Sequence, residues 1–145
     1  MQNLLTREDC RLVQASFAEI APIASEVAAT FYRRLFELNP SLVSLFKTDM
    51  QLQGVRLMEK LAVAVQGLED LPSIAPLVGA LGRRHAGYGV QPDDYDVAGE
   101  ALLGALGEAF GPAFNSELRN AWSAAFRALS TEMIRASEGD GFSRR

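Results

Sequence analysis

Cysteine and histidine each occur only once in this chain of 145 residues, as Cys10 and His85. A single cysteine excludes an internal disulfide and suits a reducing compartment. One cysteine and one histidine are also too few for the usual ligand sets of a structural zinc site. No Gly-x-Ser-x-Gly motif is present that could pair with His85 in acyl transfer. The chemistry of this chain therefore has to be found elsewhere than in a disulfide, zinc or serine-nucleophile motif.

Long apolar runs and an excess of positive charge are also missing. No stretch reaches the length needed to cross a membrane, and the N-terminus has no apolar signal core. The chain carries 14 Lys and Arg against 18 Asp and Glu, a net charge of −4, which argues against nucleic acid as a partner. We therefore expect a cytoplasmic protein with neither a nucleic-acid nor a membrane partner.

Segments of alternating polar and apolar residues, the mark of β-strands, are missing too. Apolar residues instead recur every three or four positions, which predicts an all-α fold of about six long helices plus a short one. Residues 1–137 are expected to form one domain and residues 138–145 a flexible C-terminal tail. Glycines inside the helical pattern fit neither a dinucleotide-binding nor a phosphate-binding motif and are interpreted as close-packing points: Gly99, Gly104, Gly107 and Gly111.

The only histidine lies at the end of a predicted helix. Ile74, Val78 and Leu81 share one face of this helix, and His85 continues that apolar stripe. Gly87 follows, where helices often stop. His85 therefore faces the core, either as a metal ligand or as a core histidine that bonds a backbone carbonyl.

Two more polar residues extend apolar stripes on other helices. Tyr32 lies one turn from Ala28 on a helix that carries apolar residues inward, and Gln53 lies one turn before Leu57 on the next. Buried donors without partners cost about 1–3 kcal/mol each, so these side chains need partners. A haem iron with a small ligand would satisfy all three polar residues, with histidine below the iron and two donors above it. Separate local bonds to backbone would satisfy them equally well, so the pattern leaves both interpretations open.

The order and spacing of short fragments favour the first interpretation, because the sequence resembles a globin over nearly its whole length. It is most similar to single-domain bacterial haemoglobins and the haem domain of flavohaemoglobins. No single fragment is specific. The fragments are Thr30-Phe-Tyr32, Asn39-Pro40, Leu45-Phe46, Asp70-Leu-Pro72, Arg84-His85, Tyr88-Gly-Val90, Tyr95, Gly99-Glu-Ala-Leu-Leu103 and Ala121-Trp122.

The resemblance implies a globin fold around non-covalent haem b, which agrees with the lack of a Cys-x-x-Cys-His attachment motif. It implies His85 as the proximal iron ligand, with Tyr32 and Gln53 as distal donors to the bound gas. The connector after Phe46 is about three residues shorter than in the bacterial relatives, so Met50 and Gln51 are alternatives to Gln53. The remaining cofactor contacts that the resemblance implies are Phe46, Leu57, Arg84, Val90 and Tyr95. Arg84 is placed to approach a haem propionate, and an ordinary solvated arginine is the alternative.

The resemblance also implies a function with open alternatives. We expect reversible binding of dioxygen, and also of NO and CO, with slow oxygen release suited to scavenging, sensing or NO detoxification rather than bulk oxygen transport. One alternative is a nitric oxide dioxygenase that needs an external reductase, and another is a globin sensor or interaction domain of a larger signalling chain. A monomer or weak homodimer is expected. Flavohaemoglobins place a glutamate beside the proximal histidine, but that position here falls on Ser137, with Glu138 adjacent.

Overall fold

Six α-helices make up the fold in the part of the chain that the computed structural model describes, residues 5–47 and 49–143, with side chains to Glu138. The same residues contain no β-strand. The helices are α1 (Arg7–Ile20), α2 (Ala24–Leu38), α3 (Met50–Gln66), α4 (Leu71–Gly87), α5 (Pro92–Phe110) and α6 (Ser116–Ser143). Short 3-10 helices cover Ala21–Ile23, Pro40–Leu45, Leu68–Asp70 and Gly111–Ala113. The all-α prediction is confirmed.

Local sequence signals explain where several helices begin and end. Thr6 caps α1 in a reciprocal capping box: the Asp9 N–H donates to Thr6 Oγ1 (3.0 Å) and the Thr6 N–H donates to Asp9 Oδ2 (3.1 Å). Gly111 ends α5 with a φ of +59°, a conformation that residues with a Cβ rarely adopt. The last helix, α6, continues to Ser143, further than the apolar pattern predicts. The flexibility expected of residues 138–145 stays a prediction, and Arg144 and Arg145 lie outside the described residues.

The helices pack in pairs around one core. The main pairs are α4 with α6, α2 with α5, α1 with α6, and α2 with α3. In contrast, α3 and α4 do not pack along each other's length within the described residues. The space between these two helices is called the α3–α4 cleft. The largest fully buried side chains are Trp122, Ile20, Leu106 and Val13.

None of the helices in the described residues is, by itself, long and apolar enough to span a membrane. The segments Met50–Gln66 and Leu68–Gly87 would pass that test together on length and composition, although they are bent by 56° at their junction.

A buried hydrogen bond joins the first and last helices. The Trp122 indole N–H donates to Ser16 Oγ at 2.9 Å, and the Ser16 hydroxyl donates in turn to the Leu12 carbonyl at 2.8 Å. Both residues of the interhelical bond are at most 5% exposed. The bond therefore fixes α1 against α6 and satisfies the only polar atom of the indole ring.

Replacing Ser16 with alanine should lower the free energy of unfolding by about 1–3 kcal/mol, because the Trp122 N–H would stay buried without an acceptor. Urea denaturation monitored by Trp122 fluorescence measures this loss. Ser130→Ala is the matched control, since the Ser130 hydroxyl is also buried but bonds only within its own helix, to Arg127 O. Equal losses in the two variants would show that the interhelical bond has no special weight.

Candidate functional site

The position of His85 is set by the packing of α4 on α6. A Cβ added at Gly82 would overlap the backbone of Met133, so only glycine allows α4 to approach α6 this closely. Gly79, one turn earlier, faces Ala136, whose Cβ would lie 3.2 Å from an added methyl group. His85 follows in the last turn of α4, half-buried. The two glycines thus fix the helix that carries the histidine.

The imidazole of His85 is oriented and kept neutral by its surroundings. Its Nδ1 lies 3.3 Å from the hydroxyl of Tyr95, which comes from α5. Burial lowers the pKa of His85, and the positive charges of Arg84 and Lys60 lower it further. Neutral imidazole is the form that binds a metal, and a hydrogen bond on one ring nitrogen leaves the other, Nε2, for that role.

Tyr32 lies on α2 within an aromatic cluster. Its ring centroid is 5.0 Å from that of Phe31, 5.3 Å from Phe46 and 6.1 Å from Phe36. The residue is 9% exposed, and burial raises the pKa of its hydroxyl to about 12. Among residues 5–47 and 49–138, its hydroxyl has no hydrogen-bond partner. A buried phenol that stays protonated and unpaired is a donor held ready for a ligand.

Replacing Tyr32 with phenylalanine should therefore stabilise the haem-free protein by about 1 kcal/mol at neutral pH, because an unsatisfied buried hydroxyl is removed. The difference should widen as pH rises above about 10, where the unfolded phenol ionises but the folded one, with a pKa of about 12, does not. Denaturant titrations at pH 7 and pH 10.5 measure both effects. A destabilised variant at both pH values would mean that the hydroxyl has a protein partner.

Gln53 and Leu57 lie on the same side of α3. Gln53 belongs to the first turn, where its N–H donates to the Asp49 carbonyl at 3.0 Å. The side chains of Gln53 and Leu57 are both half-buried. Of the two alternatives to Gln53, Met50 is also half-buried, whereas Gln51 is exposed. The fold thus places Gln53, one turn before Leu57, on the side of α3 that the rest of the chain partly covers.

The turn after His85 meets the segment that carries Phe46. The Val90 N–H donates to the His85 carbonyl at 3.0 Å, and Gly89 adopts a φ of +103°. A Cβ at Gly89 would lie 3.5 Å from Leu45 Cδ2, so this turn lies against the residue before Phe46. Phe46 and Val90 are both half-buried. Arg84 is exposed, beside the histidine and at the surface.

No carboxylate completes the His85–Tyr95 pair in the described residues. Ser137, at the position where the resemblance expects glutamate, donates its hydroxyl to the Ile134 carbonyl at 2.8 Å, and Glu138 is exposed. The pKa of Tyr95 is raised by burial and by the negative charge of Asp94, so its hydroxyl stays protonated. His85 Nδ1 therefore meets a neutral phenol.

Two features of this region are not evident from the sequence. Lys60 is a surface residue of α3, yet its charge acts on His85 across the cleft. Gly54 is buried where α3 crosses α2, and a Cβ there would lie 3.1 Å from Ala28 Cβ. A glycine inside a helical pattern is the one sequence signal that predicts such a close approach.

The arrangement fits a haem. A neutral imidazole with one ring nitrogen to spare lies on α4, and a buried phenol with no hydrogen-bond partner in the described residues lies on α2. Half-buried apolar side chains occur before α3, on α3 and after α4, at Phe46, Leu57 and Val90. These are the donor set and the lining that an axially ligated haem requires. We therefore identify the residues around the α3–α4 cleft as the candidate cofactor site.

Known proteins resemble this chain over most of its length. A family model described as Globin matches residues 29–133, which include Tyr32, Phe46, Gln53 and His85. A flavohemoprotein from Halalkalibacterium halodurans is 26% identical over 137 residues. That alignment covers 92% of this chain but only 33% of the relative, so the chain spans about a third of that protein's length.

Solved structures give the same fold. An engineered carbene transferase, made from a proposed nitric oxide dioxygenase of Rhodothermus marinus, superposes with a TM-score of 0.86 at 25% identity and covers 96% of this chain and 97% of its own. A bacterial globin from Campylobacter jejuni gives a TM-score of 0.82 at 20% identity, covering 92% of this chain and 97% of its own. A flavohemoglobin from Malassezia yamatoensis with bound FAD and heme gives 0.78 at 20% identity, over 93% of this chain and 37% of that one.

Proposed function

This chain belongs to the globin family, and we propose that it binds dioxygen reversibly at a haem b held by His85. The observation that carries this proposal is the Tyr32 hydroxyl, which is protonated, surrounded by aromatic rings and without a hydrogen-bond partner in the described residues. The bound haem would supply an iron able to bind a diatomic gas.

On the proximal side, His85 would ligate through Nε2 because its Nδ1 lies beside the Tyr95 hydroxyl. This contact orients the ring and so prepares it for the metal. The chain has no second histidine, so it cannot supply a second imidazole on the opposite side. A second imidazole from this chain would therefore not compete with the gas for the iron.

On the distal side, Tyr32 and Gln53 would donate hydrogen bonds to the gas. A donor facing a partly charged acceptor contributes about 1.5–3 kcal/mol, and about 1.4 kcal/mol corresponds to a tenfold change in an equilibrium constant. Two such donors slow oxygen release by orders of magnitude, because affinity differences act mainly through dissociation. Slow release suits scavenging, sensing or NO detoxification better than bulk oxygen transport.

The reversibility of oxygen binding can be tested on the isolated protein. Haem-free protein is titrated with haem, reduced, exposed to air and then returned to vacuum, and absorption spectra are recorded at each stage. We expect saturation at one haem per chain, a stable oxygenated spectrum in air and full return of the deoxygenated spectrum under vacuum. Immediate conversion to the ferric form in air, without an oxygenated spectrum, would contradict reversible binding.

A nitric oxide dioxygenase is the second candidate. The similarity to a flavohemoprotein and to a proposed nitric oxide dioxygenase favours it, as does the phenol beside His85 Nδ1. Turnover would need electrons from an external reductase or from a domain outside this chain. An NO electrode can distinguish the two functions by measuring NO consumption after a flavin reductase and its nicotinamide donor are added. Consumption over many turnovers supports the dioxygenase. Consumption that stops after one turnover per haem supports simple binding.

A further inference from the structure

The two helices that carry the distal donors cross at a contact between Ala28 of α2 and Gly54 of α3. Both residues are buried, Ala28 with 2% exposure. A Cβ at Gly54 would lie 3.1 Å from Ala28 Cβ, closer than two such atoms normally approach, so the helices would have to separate by a few tenths of an ångström. Gly54 therefore allows α3 to pack against the methyl group of Ala28 more closely than a residue with a side chain would.

This crossing lies next to both proposed donors. Ala28 precedes Tyr32 by four residues, one helical turn on the same face of α2. Gly54 directly follows Gln53 in α3. A change in the helix spacing at this point therefore changes the distance between the Tyr32 hydroxyl and the Gln53 side chain.

We propose that the Ala28–Gly54 contact sets the separation of the two distal donors and thereby the rate at which the gas is released. The proposal rests on the proposed function, because it needs a gas bound between these donors. Ala28 and Gly54 are positioning residues, since they would act only through their neighbours. Neither belongs to the residues that the resemblance implies as cofactor contacts.

The displacement would fall mainly on α3. Tyr32 is held by three aromatic rings, those of Phe31, Phe36 and Phe46, so its hydroxyl has little freedom to follow. Gln53 is half-buried in the first turn of α3 and moves with that helix. Hydrogen bonds weaken steeply as their distance and angle depart from the optimum, so a small shift is enough to impair one donor.

The test uses changes in size alone. Gly54→Ala should speed oxygen dissociation by roughly three- to tenfold, less than the loss of the Tyr32 hydroxyl, because only the Gln53 bond is weakened. The stretching frequency of bound CO should rise in the same variant, since this frequency reports donors near the gas. The Ala28→Gly/Gly54→Ala double variant moves the methyl group to the other helix. It should return the oxygen dissociation rate to within about twofold of wild type and the CO stretching frequency to near the wild-type value.

Gly107→Ala is the matched control. An added methyl group there makes only an ordinary contact, 3.6 Å from a ring carbon of Phe114, and lies on α5 away from the crossing. Both Gly→Ala changes favour the helix by up to about 1 kcal/mol. The melting temperatures of the two variants therefore show how much of any difference comes from stability, and the dissociation rates show the effect on gas release. Gly107→Ala should leave dissociation and the CO frequency unchanged.

Ala28→Gly alone keeps the proposal testable if Gly54→Ala does not fold. Without the methyl group the helices can approach more closely, so the CO frequency should fall below that of wild type. If wild type binds CO but Gly54→Ala matches it in rate and frequency, or the double variant departs as far as the single one, the positioning role is wrong while the proposed function stands. A wild-type protein that takes up haem but no gas would overturn both.

Discussion

Replacing His85 with glycine is expected to weaken haem binding by more than about 100-fold. Loss of a residue that only supports a metal ligand already costs about 10–100-fold in affinity, and His85 is the only histidine of the chain. The fold itself should survive, because the half-buried imidazole contributes little to the core around Trp122. Haem titration of the haem-free variant, followed by absorption spectroscopy, measures the effect.

Added imidazole should restore a wild-type-like spectrum to His85→Gly, because the free ligand can occupy the space of the missing side chain. Tyr95→Phe serves as a graded control: it keeps the ligand and removes only the hydroxyl 3.3 Å from Nδ1, so haem should be retained. An unchanged haem spectrum in His85→Gly without imidazole would show that another residue holds the iron.

Replacing Tyr32 with phenylalanine is expected to speed oxygen dissociation by roughly 10- to 150-fold. The estimate follows from the loss of one donor to a partly charged acceptor, about 1.5–3 kcal/mol. The change removes only the hydroxyl and keeps the ring within its contacts with Phe31, Phe36 and Phe46. Stopped-flow displacement of oxygen by CO measures the rate directly.

Tyr88→Phe is the matched control for this experiment, since it removes a hydroxyl from a tyrosine that is 64% exposed. Its dissociation rate should equal that of wild type. The Tyr32 variant combines this faster release with greater stability when haem-free, a pairing that general damage to the fold does not produce. Equal oxygen release from Tyr32→Phe and wild type would remove the phenol from the proposed mechanism.

Helical periodicity was sufficient to predict the fold class. The spacing of apolar residues follows the 3.6-residue turn directly, so the all-α architecture and the cap at Thr6 could be read from local sequence. The interpretation of inner glycines as close-packing points agrees with the structure at Gly99, which faces Phe126, and at Gly104, which faces Arg34. It is wrong at Gly111, where an added Cβ would have no neighbour within 4 Å and the positive φ explains the glycine instead, and Gly107 makes only an ordinary contact.

Long-range relations within the site could not be read in the same way. Whether the Tyr32 hydroxyl finds a partner depends on which side chains of other helices come within reach; within the described part of the chain none does, and no local pattern encodes that. The contact of His85 Nδ1 with Tyr95, ten residues along the chain, depends on the direction in which the turn at Gly89 leads into α5. The roles assigned to these residues through the resemblance remain predictions for the variants described here.

The end of the last helix shows a different limit. The apolar pattern fades after Ala136, yet α6 continues to Ser143, because a helix can extend by backbone hydrogen bonds after its packing face ends. The crossing of Ala28 and Gly54 is likewise absent from any periodicity, since glycine carries no side chain to mark a face. A glycine inside a helical pattern indicates a close approach, but only the three-dimensional structure shows which residue lies opposite it.

The absorption spectrum of the purified, haem-loaded protein in its oxidised, reduced and CO-bound forms tests the central claim most directly. An intense Soret band that shifts on reduction and shifts again with CO, to the position typical of a histidine-ligated globin, is the predicted result. A chain that folds but gives no Soret band after haem is added, or a band that CO does not shift, would contradict the account.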